Sequence, residues 1–318
     1  MTQWAKAYQQ QFPGAPVQVN GGGSTKGIND ASSGAIDIGA SDAYLSSGDV
    51  LKNSTLLNIP LVVSAQSVIY NLPGLKSKSG VQPADIHVQL SGAVLSAMYR
   101  GIITTWDDSR IQALNGDLVL PSIKIAPLHR FSGSGDTFLF TSYLSTQDDA
   151  YDWSTQVGYG TQVAWPPVPT AQAPKDSKAM YTQCAQTPGC VGYDGVSYLK
   201  DALNAGLGEA ALQNGGGHFT TPTPAAVLAE VSKFVAITPP SETIAMIAGP
   251  GGETYPLVNY EYAIVSTRQP SAARAKQLRD FLSWAITHGN AASFLNGAYF
   301  PLPDDIQTLS QAQIGMIH

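Results

Sequence analysis

Leu128-His129-Arg130-Phe131-Ser132-Gly133-Ser134-Gly135-Asp136-Thr137-Phe138-Leu139-Phe140 is the stretch on which the reading of this chain turns. The apolar run Ile123 to Leu128 leads into it and reads as a strand. The aromatic-rich run after Asp136 reads as a helix. Between them stand Arg130 and two glycines that bracket Ser134. A strand, a glycine turn and a helix N-terminus together make an anion site, because the first N–H groups of a helix point outward and its dipole favours negative charge. Ser134 is a good N-cap residue whose hydroxyl is also a donor. Arg130 adds a planar, permanently charged fork suited to an oxyanion. The same letters also describe an ordinary capped helix after a surface turn, so the stretch alone leaves both readings open.

Composition narrows the field. The chain has 318 residues, room for two ordinary domains or one large one. Hydrophobic residues make up 43%, enough for a full core and too many for a disordered chain. Charged residues are only 13%, with 31 Gly and 21 Pro, a turn-rich pattern typical of secreted surfaces. The formal net charge is -6 and no basic run occurs, which argues against nucleic acid as a partner. No apolar run is long enough to span a membrane. No internal repeat is apparent. No signal-peptide pattern is visible at the start, so the expectation is a cytosolic chain or one from which a targeting segment has been removed. Cys184 and Cys190 flank Ala-Gln-Thr-Pro-Gly, a spacing that is not a zinc pattern. Pro-Gly can turn the chain back on itself, so a local disulfide is expected, and with it an oxidising compartment. The other reading is a pair of buried thiols.

Read in order, Trp4, Tyr8 and Phe12 form one helical stripe that Pro13-Gly14 ends. Val17 to Val19 reads as a short strand. Gly21-Gly22-Gly23-Ser24-Thr25-Lys26-Gly27 then opens a second helix, with Ser24 as its cap. This is not a P-loop, since the Gly-Lys-Ser/Thr order is missing. Ala35 to Asp42 reads as a buried strand ending in a carboxylate, where open α/β sheets hold ligands. Local sequence on its own reads Asp42 as an N-cap for the segment after it. Leu56 to Tyr70 is almost continuously apolar and reads as buried strand at a crossover. His87, His129 and His218 have no companions at ligand spacing and are read as structural or surface residues, with no metal implied. Trp153 and Trp165 read as core or cleft wall, and Lys26 as a solvated lysine.

Taken together, four motifs carry a resemblance. They are Gly23-Ser24-Thr25-Lys26-Gly27, Asp37-Ile38-Gly39-Ala40-Ser41-Asp42, Ile102-Ile103-Thr104-Thr105-Trp106-Asp107-Asp108 and Gly133-Ser134-Gly135-Asp136-Thr137-Phe138. In order and spacing the chain resembles the phosphate-binding proteins of bacterial phosphate ABC transporters. Thr141-Ser142-Tyr143-Leu144, Gly192-Tyr193, Tyr255-Pro256-Leu257 and the tail Phe300-Pro301-Leu302-Pro303 agree with it. The resemblance implies an α/β, two-lobed periplasmic-binding-protein-like fold of type II, with two crossing strands and phosphate held in the cleft. Lobe one is then residues 1–65 plus 258–318, and lobe two is 66–257. It further implies phosphate contacts at Ser24, Asp42, Arg130, Ser134, Gly135 and Asp136, no cofactor and no catalysis. The partners implied are inorganic phosphate and a phosphate transporter permease. The location implied is extracytoplasmic, periplasmic or cell-surface, with any lipid anchor outside these residues.

Three departures from the family pattern stand out. The family begins with a strand and a glycine-rich loop carrying Ser or Thr before Phe, and this chain starts at the helix after it. An open strand edge in lobe one and fewer phosphate donors are the expectation. Ser132 stands where the family often has an acid that orients the arginine. Asp136 stands where some members have threonine, while others are acidic. Two alternatives remain beside phosphate capture: a degenerate lobe pair serving as sensor or interaction module, and a phosphatase on the same scaffold. The second draws on Ser134, His129 and Asp136, although Gly133-Ser134-Gly135 lacks the full nucleophile-elbow pattern.

Overall fold

Residues 56–70 form one strand, Leu56–Tyr70, fifteen residues long and buried throughout. A run of apolar residues without alternation has no face to show to water, so it settles where both faces are covered. The computed structural model describes residues 1–80, 85–147, 152–295 and 297–318. They group into two compact units. The first holds Met1–Ser64, Phe234–Ala245 and Asn259–His318; the second holds Ala65–Lys233 and Met246–Val258. The strands Leu56–Tyr70 and Leu257–Ser266 each run from one unit into the other along the chain.

In the first unit, the strand Gly39–Ser41 pairs antiparallel with Tyr262–Ile264. Helix Thr2–Gln11 buries Trp4, Ala5 and Tyr8. The Tyr8 ring meets Phe281 at 5.1 Å and Trp284 at 5.4 Å, both on helix Ala272–Ile286. The aromatic stripe is therefore a packing face, except that Phe12 falls beyond the helix and is 42% exposed. The strand expected at Val17 to Val19 does not form: residues 15–23 carry no strand or helix. A strand needs a hydrogen-bonding neighbour, and alternation in sequence cannot supply one. The expected strand from Ala35 shrinks for the same reason to Gly39–Ser41, which is the last strand on its side of the sheet among the described residues.

In the second unit, Gln66 to Tyr70 pair antiparallel with Val191 to Gly195 of the strand Cys190–Gly195, and Ala126–Pro127 pair parallel with Cys190 and Val191. The expected strand at Ile123 to Leu128 is thus only two residues long. Helix Gly135–Ser145 is buried at every residue from Gly135 to Leu144. Its aromatic residues join a cluster in which Phe140 stacks on Tyr193 at 4.5 Å and touches Tyr99 at 4.8 Å. A helix buried on every side is held by the core all round, which fixes where its N-terminus points. Trp153 is core, 1% exposed; Trp165 is half-buried and stacks on His129 at 4.7 Å. Cys184 and Cys190 form a disulfide, joining helix Ser177–Ala185 to the strand Cys190–Gly195.

Glu242 shows why residues 234–245 belong with the first unit. It is fully buried, and its carboxylate accepts from Ser310 Oγ and Gln313 Nε2 on the C-terminal helix Asp304–Gly315. Burial pushes its pKa up to about 8, against the opposing pull of those two donors. Below its ordinary pKa of 4.5 the acid is neutral both folded and unfolded. Between 4.5 and about 8 the unfolded chain ionises while the fold does not, so stability falls as pH rises through that window. Glu242→Gln is expected to remove that slope. Urea titrations should find the variant gaining roughly 1–3 kcal/mol relative to the parent between about pH 5 and about pH 8. Parallel curves for the two proteins would mean that Glu242 is ionised in the fold.

Candidate functional site

In the second unit the decisive stretch folds as a built cluster. Ser134 is the N-cap of helix Gly135–Ser145: its Oγ accepts the Asp136 N–H at 3.1 Å. Arg130 is 8% exposed and turns inward. Its Nη1 donates to Ser134 Oγ at 2.9 Å, Asp136 Oδ2 at 3.0 Å and Ser177 Oγ at 3.3 Å. The Arg130 N–H donates to Tyr193 Oη at 3.1 Å, and Tyr193 Oη shares a 2.8 Å bond with Thr137 Oγ1. That phenol is fully buried and its pKa is pushed up, chiefly by burial. It thus ties the arginine backbone to the first turn of the helix. Gln66 Nε2 donates to Asp136 O at 2.8 Å and Asp136 Oδ1 at 3.2 Å.

This arrangement brings Arg130, Ser134, Gly135 and Asp136 together at one helix N-terminus. It also shows what takes the place of the acid missing at position 132. Ser132 is exposed, with its Oγ directed at Lys175 O, 3.5 Å away. The carboxylate on Arg130 is Asp136, on the helix itself. Three further residues of the cluster escaped sequence reading: Gln66, Ser177 and Asp194. Asp194 is 2% exposed; its Oδ1 accepts the Gly195 N–H at 3.2 Å. Its pKa is raised well above the ordinary value by burial and then by the charge of Asp136, against the pull of Ser177, Arg130 and the Gly195 N–H. Ser177 had one local signal, a helix start after the N-cap Asp176. Gln66 and Asp194 had only their place on buried strands.

In the first unit, helix Ser24–Ser33 begins at Ser24 with Gly23 as N-cap, so Ser24 does not cap it as expected. Gly23 takes the extended backbone of a cap and frees the serine hydroxyl. Ser24 Oγ donates to Asp42 Oδ2 at 3.0 Å and accepts the Asp42 N–H at 3.1 Å. Asn259 Nδ2 donates to Asp42 O at 3.1 Å. Asp42 caps no helix: the next one, Ser47–Lys52, is capped by Ser46 in a capping box. Backbone contact sets the spacing. A Cβ on Gly39 would lie 2.2 Å from Gly27 O, and one on Gly27 would lie 2.4 Å from Ala40 O. Lys26 pairs with Asp30 on the exposed face of the helix.

The likeness to known proteins agrees with this geometry. Residues 1–288 match the family model described as a PBP superfamily domain. The phosphate-binding protein PstS of Methanocaldococcus jannaschii is 32% identical over 337 residues, covering 99% of this chain and 82% of that protein. This chain belongs to the PstS phosphate-binding protein family. The PstS of Haemophilus influenzae is 29% identical, covering 98% of this chain and 87% of that protein. Among solved structures, a periplasmic phosphate-binding protein bound with phosphate superposes with a TM-score of 0.68 at 21% identity, covering 94% of this chain and 87% of that one. An ABC-type phosphate transport receptor from Vibrio cholerae gives a TM-score of 0.59 at 18% identity, covering 95% of each chain. The α/β, periplasmic-binding-protein-like fold expected from the motifs is the fold found.

Members of the PstS family are substrate-binding proteins rather than enzymes, and the side chains here fit that. Ser134 Oγ faces Arg130 and Asp136, while His129 Nδ1 lies 3.3 Å from Arg130 O and its ring is stacked on Trp165. The hydroxyl therefore has the Arg130–Asp136 ion pair beside it, and the His129 imidazole is engaged elsewhere. His87 Nδ1 lies 3.1 Å from Glu209 O, and His218 is exposed, so both keep the structural or surface role read for them. Gly39→Ala is expected to force helix Ser24–Ser33 off its strand and to cost about 1–3 kcal/mol in denaturant unfolding. An unchanged midpoint would show that the glycine contact does not hold Ser24 against Asp42.

Proposed function

We propose that this chain captures inorganic phosphate outside the cytoplasm and delivers it to the permease of a phosphate ABC transporter. Membership in a family whose curated relatives are named phosphate-binding proteins supports this. The observation that carries it is the inward-turned guanidinium of Arg130 at the capped N-terminus of a buried helix. An extracytoplasmic location agrees with the disulfide between Cys184 and Cys190, and with a structural relative described as periplasmic. Among the described residues no helix is long and apolar enough to cross a membrane.

The phosphate contacts proposed in the second unit are Arg130, Ser134, Gly135 and Asp136. Arg130 supplies charge-assisted donors, Ser134 a hydroxyl and Gly135 the outward N–H of a first helical turn, while Asp136, whose own N–H is taken by Ser134 Oγ, offers its carboxylate to a protonated ligand oxygen. Because Asp136 already balances Arg130, the anion meets donors rather than a large net charge. In the first unit, Ser24 is proposed as a donor and Asp42 as the reader of protonation. An ionised carboxylate only accepts, so it requires a proton on the ligand. Protonated phosphate carries one; sulfate near neutrality does not, and is repelled.

Titration calorimetry tests the reading. Phosphate should bind and sulfate should not, and a chromogenic phosphoester should not turn over. Arg130→Ala should weaken phosphate binding by about 1.5–3 kcal/mol, and Ser24→Ala by roughly 0.5–1.5 kcal/mol. Asp42→Asn should narrow the gap between phosphate and sulfate more than it weakens phosphate. Absence of phosphate heat, or steady phosphoester turnover, would overturn the proposal.

A further inference from the structure

The second unit buries two carboxylates around one guanidinium. Asp136 takes Arg130 Nη1 at 3.0 Å. Asp194 stands on the strand Cys190–Gly195, opposite Ser67 in the ladder, and a Cβ on the next residue, Gly195, would lie 3.7 Å from Asp136 Oδ1. Ser177 links the group: its Oγ lies 3.3 Å from Arg130 Nη1 and 3.4 Å from Asp136 Oδ2, and it draws on the Asp194 carboxyl enough to oppose the rise in its pKa. The disulfide clamps the helix carrying Ser177 to the strand carrying Asp194. Three buried atoms in this cluster have no hydrogen-bond partner: Asp194 Oδ2, Arg130 Nε and Gln66 Oε1. An uncompensated second carboxylate in such a place is too costly to leave charged beside Asp136.

We propose that Asp194 is a positioning residue that acts on the bound anion only through Arg130: as a neutral acid it leaves the guanidinium to the ligand, and as a carboxylate it competes for it. This rests on the reading of Arg130 as a phosphate contact. The charged and titratable groups around Asp194 are Arg130, Asp136 on the buried helix, Tyr193 on its own strand, Tyr198 just beyond it, and Asp176 at the cap of the Ser177 helix. Burial and the charge of Asp136 both push the pKa of Asp194 up. When it ionises, its negative charge both draws on Arg130 and repels the anion, so affinity falls as pH rises. By linkage, an anion on Arg130 makes Asp194 hold its proton more firmly.

The test compares dissociation constants for inorganic phosphate in the parent and in Asp194→Asn across a pH series. Taking the ratio at each pH cancels the ionisation of phosphate itself. The parent should weaken relative to the variant by about tenfold as pH rises above the ordinary carboxylate range and Asp194 ionises, the scale of one lost charge contact. Asn keeps the shape of the neutral acid and cannot ionise; Asp194→Ser serves if the Asn form does not fold. A purely structural role would lower affinity equally at every pH, and a constant ratio overturns the proposal. Arg130→Ala is run alongside. If that variant binds phosphate like the parent, the phosphate reading of the site itself fails, and this inference with it. If it binds weakly while the Asp194 ratio stays constant, only the role of Asp194 is refuted.

Discussion

Arg130 is a permanent charge that the fold has taken out of water, and the second unit is arranged around satisfying it. A guanidinium only 8% exposed is costly unless paired and hydrogen-bonded. Asp136, Ser134 and Ser177 all meet it at Nη1, and Tyr193 holds its backbone. Each of those partners is itself fixed by something larger. Ser134 and Asp136 start a helix buried along ten residues, and Tyr193 lies in the aromatic stack with Phe140. Because most of the pairing falls on a single nitrogen, the rest of the fork is not spent on the protein. A charge held this firmly needs no reorganisation when an anion arrives, which is how a binding site gains affinity from preorganisation.

The first unit solves a smaller problem by different means. It has no buried arginine at Ser24 and Asp42; it has a hydroxyl and a carboxylate bonded to each other, set at their spacing by Gly27 and Gly39. Close approach of two backbones is what permits a helix to present its first residue to the end of a strand. The stability of that unit is kept by packing well away from the pair, through the Tyr8 aromatic face and the buried Glu242 network with the C-terminal helix.

Features set by local chemistry were legible from residues alone. Ser134 as a cap, the buried strand Leu56–Tyr70 and the Cys184–Cys190 bridge all come from short-range rules. Features that depend on a neighbour were not. Val17 to Val19 has the alternation of a strand and no partner to pair with. Ser24 has the side chain of a cap, whereas Gly23, which holds the position, has no side chain to signal the role. Asp42 looked like a cap because its true partner is 18 positions away. The acid that orients Arg130 was sought at position 132, two residues on, and lies six residues on, across the turn. Ser177 and Asp194 reach Arg130 only through tertiary packing, 47 residues on for Ser177, so no spacing rule could name them.

The turn after Arg130 is proposed to hold a tetrahedral oxyanion. A crystal structure of the protein grown with arsenate locates the anion directly by its anomalous scattering. One strong peak is expected within hydrogen-bonding distance of the Arg130 guanidinium, Ser134 Oγ and the Gly135 N–H. A fully occupied peak elsewhere, with the Arg130–Asp136 pair unaltered and that helix N-terminus unoccupied, would contradict it.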